Sequence, residues 1–169
     1  GAGSEMSFGV NIRLPFEAEA TPFIAGDPKL INFKYFFTRK LMFVKESQAI
    51  VLLPGGFGTM DECFEALTLV QTGKALPVPF VLLEPPGSNY WIRWIEFVNK
   101  ELVSRNLISP ADLNLFAHCS KIEEAVEEIT SFYRNYHSMR YVRELLVLRV
   151  RYEPTKELLQ ACNESFRDI

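Results

Sequence analysis

Residues 49–62 carry the groups of this chain that are best suited to chemistry, and they read Ala-Ile-Val-Leu-Leu-Pro-Gly-Gly-Phe-Gly-Thr-Met-Asp-Glu. The turn within them contains three glycines, Gly55, Gly56 and Gly58. Glycine lacks a Cβ, so these backbone amides can approach a ligand closely and adopt positive φ. Thr59 occupies the place of a helix N-cap, and Glu62, three residues later, completes a capping-box pattern. Free amides at a helix N-terminus bind anions, and the anion we expect here is a phosphate.

The turn by itself leaves a structural alternative open. A glycine-rich connection between a strand and a helix can be only a tight turn, and Glu62 can be only a capping carboxylate. The turn is not a Walker A loop, because no Gly-Lys-Ser/Thr follows it. It is not the G-x-G-x-x-G dinucleotide fingerprint either. A phosphate site and a purely structural turn therefore both fit these residues.

Residues 54–62, Pro-Gly-Gly-Phe-Gly-Thr-Met-Asp-Glu, resemble the PGGxGTxxE motif of the LONELY GUY family, which is often labelled lysine decarboxylase-like. A second match is Arg39-Lys40, followed by Met42, because the family places its catalytic arginine in such a pair upstream of the motif glutamate. Further matches lie at residues 9–15, 35–37 and 69–74. The resemblance runs from about residue 8 to 150 and is to the larger bacterial members.

Members of that family are nucleoside 5'-monophosphate phosphoribohydrolases. The resemblance therefore implies hydrolysis of the N-glycosidic bond of an AMP-like nucleotide to free base and ribose 5-phosphate. Cleaving that bond develops positive charge on the ribose, which a carboxylate stabilises. The resemblance gives this role to Glu62, makes Arg39 the catalytic cation, and assigns the phosphate to the three glycines and Thr59. Lys40 and Asp61 are possible substrate contacts, although a solvated surface charge is the plainer interpretation of both.

A second function class stays open on the same fold, namely a non-catalytic carrier of a nucleotide or of the molybdenum cofactor. The presence of both Arg39 and Glu62 favours the enzyme. We expect no cofactor, and we reject decarboxylation, because no lysine lies in a recognisable pyridoxal-phosphate setting. We expect no metal, since His118 and His137 lack partners at ligand spacing. Glu84 ends a predicted strand, where ligands of open α/β sheets gather, and it stays unassigned.

Length and composition fit one globular unit. The chain has 169 residues, 48% of them apolar, which is enough to bury a sizeable core. Its net charge of −3 argues against nucleic-acid binding through a basic surface. No apolar run reaches the roughly 18 residues needed to span a membrane. Three widely spaced cysteines predict free thiols and a cytoplasmic location.

Strands and helices alternate along the chain, which predicts an α/β fold with a Rossmann-like parallel sheet flanked by helices. We predict strands at residues 8–14, 49–53 and 79–83, and a short strand or extended piece within 111–117. We predict helices at residues 30–47, 60–72, 90–104 and 121–136, and a loop over 17–28. Trp91 and Trp94 recur at the spacing of a core-facing helix side.

The helices predicted at 30–47 and 60–72 carry more apolar surface than one sheet face covers. Large apolar patches on a surface usually mark interfaces. The family resemblance also implies dimers whose sites lie near the subunit boundary. We therefore expect a homo-oligomer, at least a dimer, that forms through these helices.

The tail departs from the alternating pattern. Residues 141–151 read as a strand with one polar face, and a helix is predicted from Pro154 through residue 166. We therefore predict a nucleotide-binding domain over residues 1–139 and the start of a small appended α+β unit over 140–169. Family members begin with a βαβ segment that residues 1–7 do not supply, so we expect this chain to be a piece of a longer protein.

Overall fold

The structure is a computed structural model that describes residues 7–12 and 24–167. The fold is α/β, with parallel strands and flanking helices, as predicted. The described residues form two compact units. The first unit contains the described residues up to 48 together with residues 55–75, and the second contains residues 49–54 and those from 76 onward.

The first unit consists of a short parallel strand pair and two helices. Strand β1 (Gly9–Ile12) pairs in parallel with β2 (Leu30–Phe33), and helices α1 (Phe36–Glu46) and α2 (Phe57–Gln71) follow. The strand predicted at 8–14 is confirmed over the described residues 9–12, whereas 13–14 and most of the predicted loop 17–28 lie outside them.

The helix predicted over 30–47 is wrong in its first part. Leu30–Phe33 is strand β2, and Gly9 N donates a hydrogen bond to Lys29 O at 3.0 Å where the pair begins. A short run of apolar residues fits both helix and strand periodicity, and pairing with β1 decides between them. The true helix α1 begins only at Phe36, after an extended Tyr35.

The second unit is built on a three-stranded parallel sheet in the order β3 (Ile50–Leu52), β4 (Phe80–Leu83), β5 (Ala117–Cys119). Helix α4 (Ile122–Asn135) packs against β4 and β5. Val81, Cys119 and Ala125 are buried together at this contact, with Leu83 and Ile129 against them. Central strand β4 is therefore covered by apolar side chains, as expected for a parallel strand.

A tryptophan-rich helix confirms the predicted core positions. Helix α3 (Tyr90–Phe97) continues as a π-helix over Val98–Val103, which together match the helix predicted at 90–104. Trp91 is 0% exposed and Trp94 is 8% exposed. Their rings meet edge to face with centroids 5.9 Å apart, a geometry that aromatic pairs prefer.

The short strand or extended piece expected within 111–117 is found only at the end of that range. Pro110–Leu115 form a 3-10 helix, and β5 begins only at Ala117. Ser109 and Asp112 form a reciprocal cap at the start of this helix, with Ser109 N donating to Asp112 Oδ2 at 2.7 Å. This local capping competes successfully with an extended conformation.

The C-terminal part is a hairpin followed by a helix. Strand β6 (Tyr136–Val142) begins directly after α4 and pairs antiparallel with β7 (Leu145–Val150), so the single strand predicted at 141–151 is two strands. The turn between them places Arg143 at φ 55°, a conformation that its residue type does not signal. The predicted last helix is confirmed as α5 (Lys156–Ser165). The division into domains 1–139 and 140–169 stays a prediction.

The three cysteines are free thiols: Cys63 and Cys119 are buried and Cys162 is exposed. Burial raises the pKa of the Cys63 thiol to about 12, which makes it a poor nucleophile. In the part of the chain that the structure describes, no helix is long and apolar enough to cross a bilayer.

Candidate active site

The first unit brings the two proposed catalytic side chains together. Arg39, on α1, donates a hydrogen bond from Nη2 to Glu62 Oε1, on α2, at 3.0 Å. The two side chains are 18% and 20% exposed, so each keeps only a small face toward solvent. The resemblance implies that both residues belong to one site, and the structure brings their side chains into contact. An anion and a cation held this way can act together on one polar substrate.

The Arg39 guanidinium also lies between two aromatic rings of its own helix. Its central carbon is 5.6 Å from the Phe36 ring centroid and 5.8 Å from that of Phe43. Residues three before and four after Arg39 share its helix face, so these contacts follow from the sequence spacing. Arg39 Nε is buried and has no hydrogen-bond partner among the residues that the structure describes. A buried donor without an acceptor is costly, so this nitrogen is ready to bind a substrate oxygen.

Helix α2 begins at Phe57, two residues before Thr59, which was predicted as its N-cap. Gly56 is the N-cap, with φ −87° and ψ −156°, and Met60 N donates to Gly56 O at 3.2 Å. Thr59 is therefore the third helical residue, and the proposed capping box with Glu62 is wrong. Glu62 lies in the second turn, where its carboxylate pairs with Arg39 instead of with the helix terminus.

The glycines of the turn provide space by lacking a Cβ, and they do not adopt a strained backbone conformation. The positive-φ glycines among the described residues are elsewhere, at Gly26, Gly73 and Gly87, so the positive φ expected here is not observed.

The surroundings of Gly55 nevertheless differ from those of Gly56 and Gly58. A Cβ added at Gly55 would lie 2.1 Å from Thr59 Oγ1, so the threonine side chain fits only against a glycine. Among the described residues, a Cβ at Gly56 or Gly58 would meet nothing within 4 Å. The first-turn amides of α2 have no intrahelical acceptor, and Gly56 offers them no side-chain cap. The turn thus presents donors beside open space.

Lys40 is not a surface lysine. Its ammonium lies 2.6 Å from Asp61 Oδ2 and 2.8 Å from Glu65 Oε2, and its side chain is 16% exposed. Hydrogen bonds to these two carboxylates raise the pKa of Lys40 above its ordinary value. The two residues proposed as possible substrate contacts, Lys40 and Asp61, are therefore paired with each other.

A second polar cluster, in the second unit, was only partly anticipated. Glu84 is 1% exposed at the end of β4. One carboxylate oxygen accepts hydrogen bonds from Ser88 Oγ at 2.6 Å and from the backbone N–H groups of Tyr90 and Trp91 at 2.7 and 3.2 Å. The other oxygen lies 2.8 Å from His118 Nε2.

This cluster explains Glu84, which sequence reasoning left unassigned. Its carboxylate holds the start of α3 and links it to His118 on β5, so Glu84 has a structural role. His118 looked partnerless because its partner is 34 residues away in sequence. No group of three or more His, Cys, Asp or Glu side chains in the described ranges is arranged to hold a metal ion.

We expect the Glu84→Gln substitution to destabilise the fold in a pH-dependent manner. Burial raises the pKa of the Glu84 carboxyl, but the hydrogen bonds from Ser88, His118, Trp91 and Tyr90 outweigh it and lower the pKa to about 2. A carboxyl with a lowered folded-state pKa contributes stability above its unfolded pKa of 4.5 and loses it as the pH falls toward 2. The contribution at neutral pH is roughly 3 kcal/mol.

The measurement is urea unfolding of both proteins at pH 7, 4 and 2, with the exposed Glu123→Gln as the control. The free energy of unfolding should differ most at pH 7, and the difference should shrink toward pH 2. A difference that does not change with pH would contradict the ionised, hydrogen-bonded state of Glu84.

A family model described as "possible lysine decarboxylase" matches residues 2–129. This match spans most of the 169-residue chain and includes the whole glycine turn. The chain belongs to the LONELY GUY family.

Curated LONELY GUY proteins of Arabidopsis thaliana are similar to this chain. The cytokinin riboside 5'-monophosphate phosphoribohydrolase LOG1 is 27% identical over 120 residues, which is 71% of this chain and 54% of LOG1. LOG3, which has the same enzyme name, is 31% identical over 94 residues, which is 56% of this chain and 42% of LOG3. LOG5 is 25% identical over 122 residues, 72% of this chain and 49% of LOG5. The chain spans about half the length of these relatives.

The LONELY GUY match covers both clusters described above. Residues 2–129 include the Arg39–Glu62 pair, the Lys40 bridge and the Glu84–His118 pair. The match ends within α4, before the β6–β7 hairpin begins at Tyr136. The candidate active site therefore lies wholly within the LONELY GUY part of the chain.

Proposed function

We propose that the full-length protein hydrolyses the N-glycosidic bond of a nucleoside 5'-monophosphate, releasing the free base and ribose 5-phosphate. The observation that carries this proposal is the 3.0 Å ion pair between Arg39 and Glu62. It sets the Arg39 guanidinium of α1 beside the Glu62 carboxylate of α2, the helix that begins at the glycine turn.

The proposed chemistry requires one carboxylate at the ribose. The bond from C1′ to the base nitrogen breaks, a water oxygen bonds to C1′, and the water's proton ends on the departing base. Positive charge develops on the ribose in the transition state, and the Glu62 carboxylate stabilises it or orients the water. Arg39 binds a substrate oxygen through its unpartnered Nε while its Nη2 holds Glu62 in place.

The phosphate is assigned to the first turn of α2. Backbone N–H groups there have no intrahelical acceptors, and the positive end of the helix dipole favours an anion. The open space beside Gly56 and Gly58 gives the phosphate oxygens access to these donors. Glu62 lies five residues after Phe57 in the same helix, about 7.5 Å farther along its axis. This separation is on the scale of ribose 5-phosphate.

We assign the substrate class to AMP and its N6-substituted derivatives, because the curated relatives are named for cytokinin riboside 5'-monophosphates. We place the reaction in the cytoplasm, since the three free thiols fit a reducing compartment. The test is release of free base and ribose 5-phosphate by the full-length protein from AMP, N6-isopentenyl-AMP, GMP, CMP and UMP. Binding of these nucleotides without any base release would overturn the proposal in favour of a non-catalytic carrier.

We expect the protein to form at least a dimer through α1 and α2. No residue of α1 is buried in the described structure. The exposed apolar side chains of the two helices are Phe36, Phe37, Leu41, Met42, Phe43, Phe57 and Phe64. A surface this apolar is typical of an interface.

The measurement is light scattering at micromolar concentration on the unmodified chain and on Phe37→Glu. Phe37 is 68% exposed, and a carboxylate there would be desolvated at an interface, so the variant should shift toward monomer. Ile122→Glu, at an equally exposed position on α4, is the matched control and should leave the mass unchanged. A monomeric unmodified chain would contradict the dimer.

A further inference from the structure

Lys40 joins two carboxylates that are one helical turn apart. Its ammonium lies 2.6 Å from Asp61 Oδ2 and 2.8 Å from Glu65 Oε2. Because Asp61 and Glu65 are four residues apart on α2, they share one face and lie about 6 Å apart along the helix axis. One side chain of α1 thus spans a full turn of α2.

The burial of its lysine separates this bridge from an ordinary surface ion pair, although the Asp61 and Glu65 side chains are 57% and 40% exposed. The Lys40 side chain is 16% exposed, whereas Lys45 on the same helix is 69% exposed and lies 3.8 Å from its partner Glu46. Exposed pairs contribute little to structure because solvent screens them. Two carboxylates lie within ion-pair distance of the Lys40 ammonium. Lys40 is therefore tied to α2 at two points.

The neighbouring Arg39 has a weaker hold on α2. Its described contact with Glu62 is one hydrogen bond from Nη2. A single bond lets a long side chain rotate, and it does not fix the position of α1 along the axis of α2. The two-point bridge from Lys40 supplies this restraint, because a shift of α1 in either direction would lengthen one of its contacts. Because Arg39 directly precedes Lys40 in α1, the bridge also fixes the position of Arg39 along the axis of α2.

We propose that Lys40 is a positioning residue: with Asp61 and Glu65 it fixes α1 against α2, and it thereby holds Arg39 beside Glu62. Lys40 and Asp61 then act on the reaction through Arg39 and Glu62, without contacting the substrate. The activity readout rests on the proposed phosphoribohydrolase function, whereas the geometry of the bridge does not.

The experiment compares Lys40→Met, Asp61→Asn, the double variant and Lys40→Arg in the full-length protein, with Lys45→Met as the matched control. Misplacing a catalytic group by about 1 Å costs on the order of 100-fold in rate. We expect Lys40→Met to lower kcat by about 10- to 100-fold and to change KM by less than about twofold. The double variant should be no slower than Lys40→Met, because both changes break one bridge. Lys40→Arg should restore most of the rate, and Lys45→Met should leave it unchanged.

Two kinetic outcomes would overturn the inference. A raised KM with an unchanged kcat would make Lys40 a substrate contact. Rate losses of Lys40→Met and Asp61→Asn that multiply in the double variant would show that the two residues act independently. Asp61→Asn keeps the test decisive if Lys40→Met does not fold, since it removes one carboxylate of the same bridge and should lower kcat without raising KM.

A second readout separates this inference from the proposed function. The Nε–Hε signal of Arg39, assigned by its loss in Arg39→Lys, reports the side chain's environment in ¹⁵N NMR. Lys40→Met should shift or broaden this signal, whereas Lys45→Met should not. If Lys40→Met does not fold, the double variant Lys40→Arg/Asp61→Asn takes its place. If no nucleotide is hydrolysed, the proposed function fails while the signal still decides the positioning role. An unchanged Arg39 signal would overturn that role.

Discussion

Replacing Glu62 with glutamine should lower the kcat for nucleotide hydrolysis on the order of 10²–10³-fold. Glutamine has nearly the shape of glutamate and keeps an oxygen that can accept the 3.0 Å hydrogen bond from Arg39. It removes the negative charge that stabilises the cationic ribose in the transition state. An interaction that is made mainly in the transition state affects turnover while substrate binding stays nearly the same.

Single-turnover base release and calorimetric binding of AMP measure these two quantities separately. Glu46→Gln is the matched control, because Glu46 is 57% exposed at the end of α1 and pairs only loosely with Lys45. The control should hydrolyse AMP at the unmodified rate. If Glu62→Gln does the same, Glu62 has no catalytic role, and the carrier function becomes the better explanation.

Gly56→Val should have the opposite effect and weaken binding without unfolding the protein. The backbone at Gly56 has φ −87° and an extended ψ, which valine adopts without strain. An added Cβ there meets no atom of the described residues within 4 Å, so the new side chain enters the space assigned to the phosphate. Loss of charge-assisted hydrogen bonds worth roughly 3 kcal/mol in total weakens the affinity for AMP about 100-fold.

The control is the adjacent position. Gly55→Ala places a Cβ 2.1 Å from Thr59 Oγ1, so it should lower the thermal midpoint, whereas Gly56→Val should lower that midpoint only by the cost of a poorer N-cap, about 1 kcal/mol. Calorimetric titration with AMP and thermal unfolding of both variants distinguish the two effects. Unchanged AMP affinity in a folded Gly56→Val protein would place the phosphate elsewhere.

Long, strongly patterned elements and the motif could be predicted from the sequence. Trp91 and Trp94 recur at helical spacing, and both are buried. The glycine turn and α2 follow a short apolar strand, as the pattern indicated. The partnership of Arg39 with Glu62 came from family resemblance instead, because no local pattern links residues 23 positions apart.

The features that could not be predicted from the sequence depend on distant partners or on backbone conformations that residue type does not indicate. Leu30–Phe33 form a strand because β1 pairs with them, which their own sequence does not reveal. The β6–β7 turn uses Arg143 at positive φ where glycine or asparagine would have marked a turn. Glu84 and His118 meet across two parallel strands, so their pairing follows from sheet register rather than from spacing.

The contact between Gly55 and Thr59 constrains how this site can change over evolutionary time. A side chain at position 55 would collide with the Thr59 hydroxyl, so position 55 can change only after Thr59 has become smaller, whereas Thr59 can change first. The order of substitution at this pair is therefore fixed, while position 56 is restrained by ligand binding and by its place as the helix N-cap. In a library of variants selected for folding alone, changes at position 55 should be recovered together with changes at Thr59, and changes at Gly56 should be recovered singly.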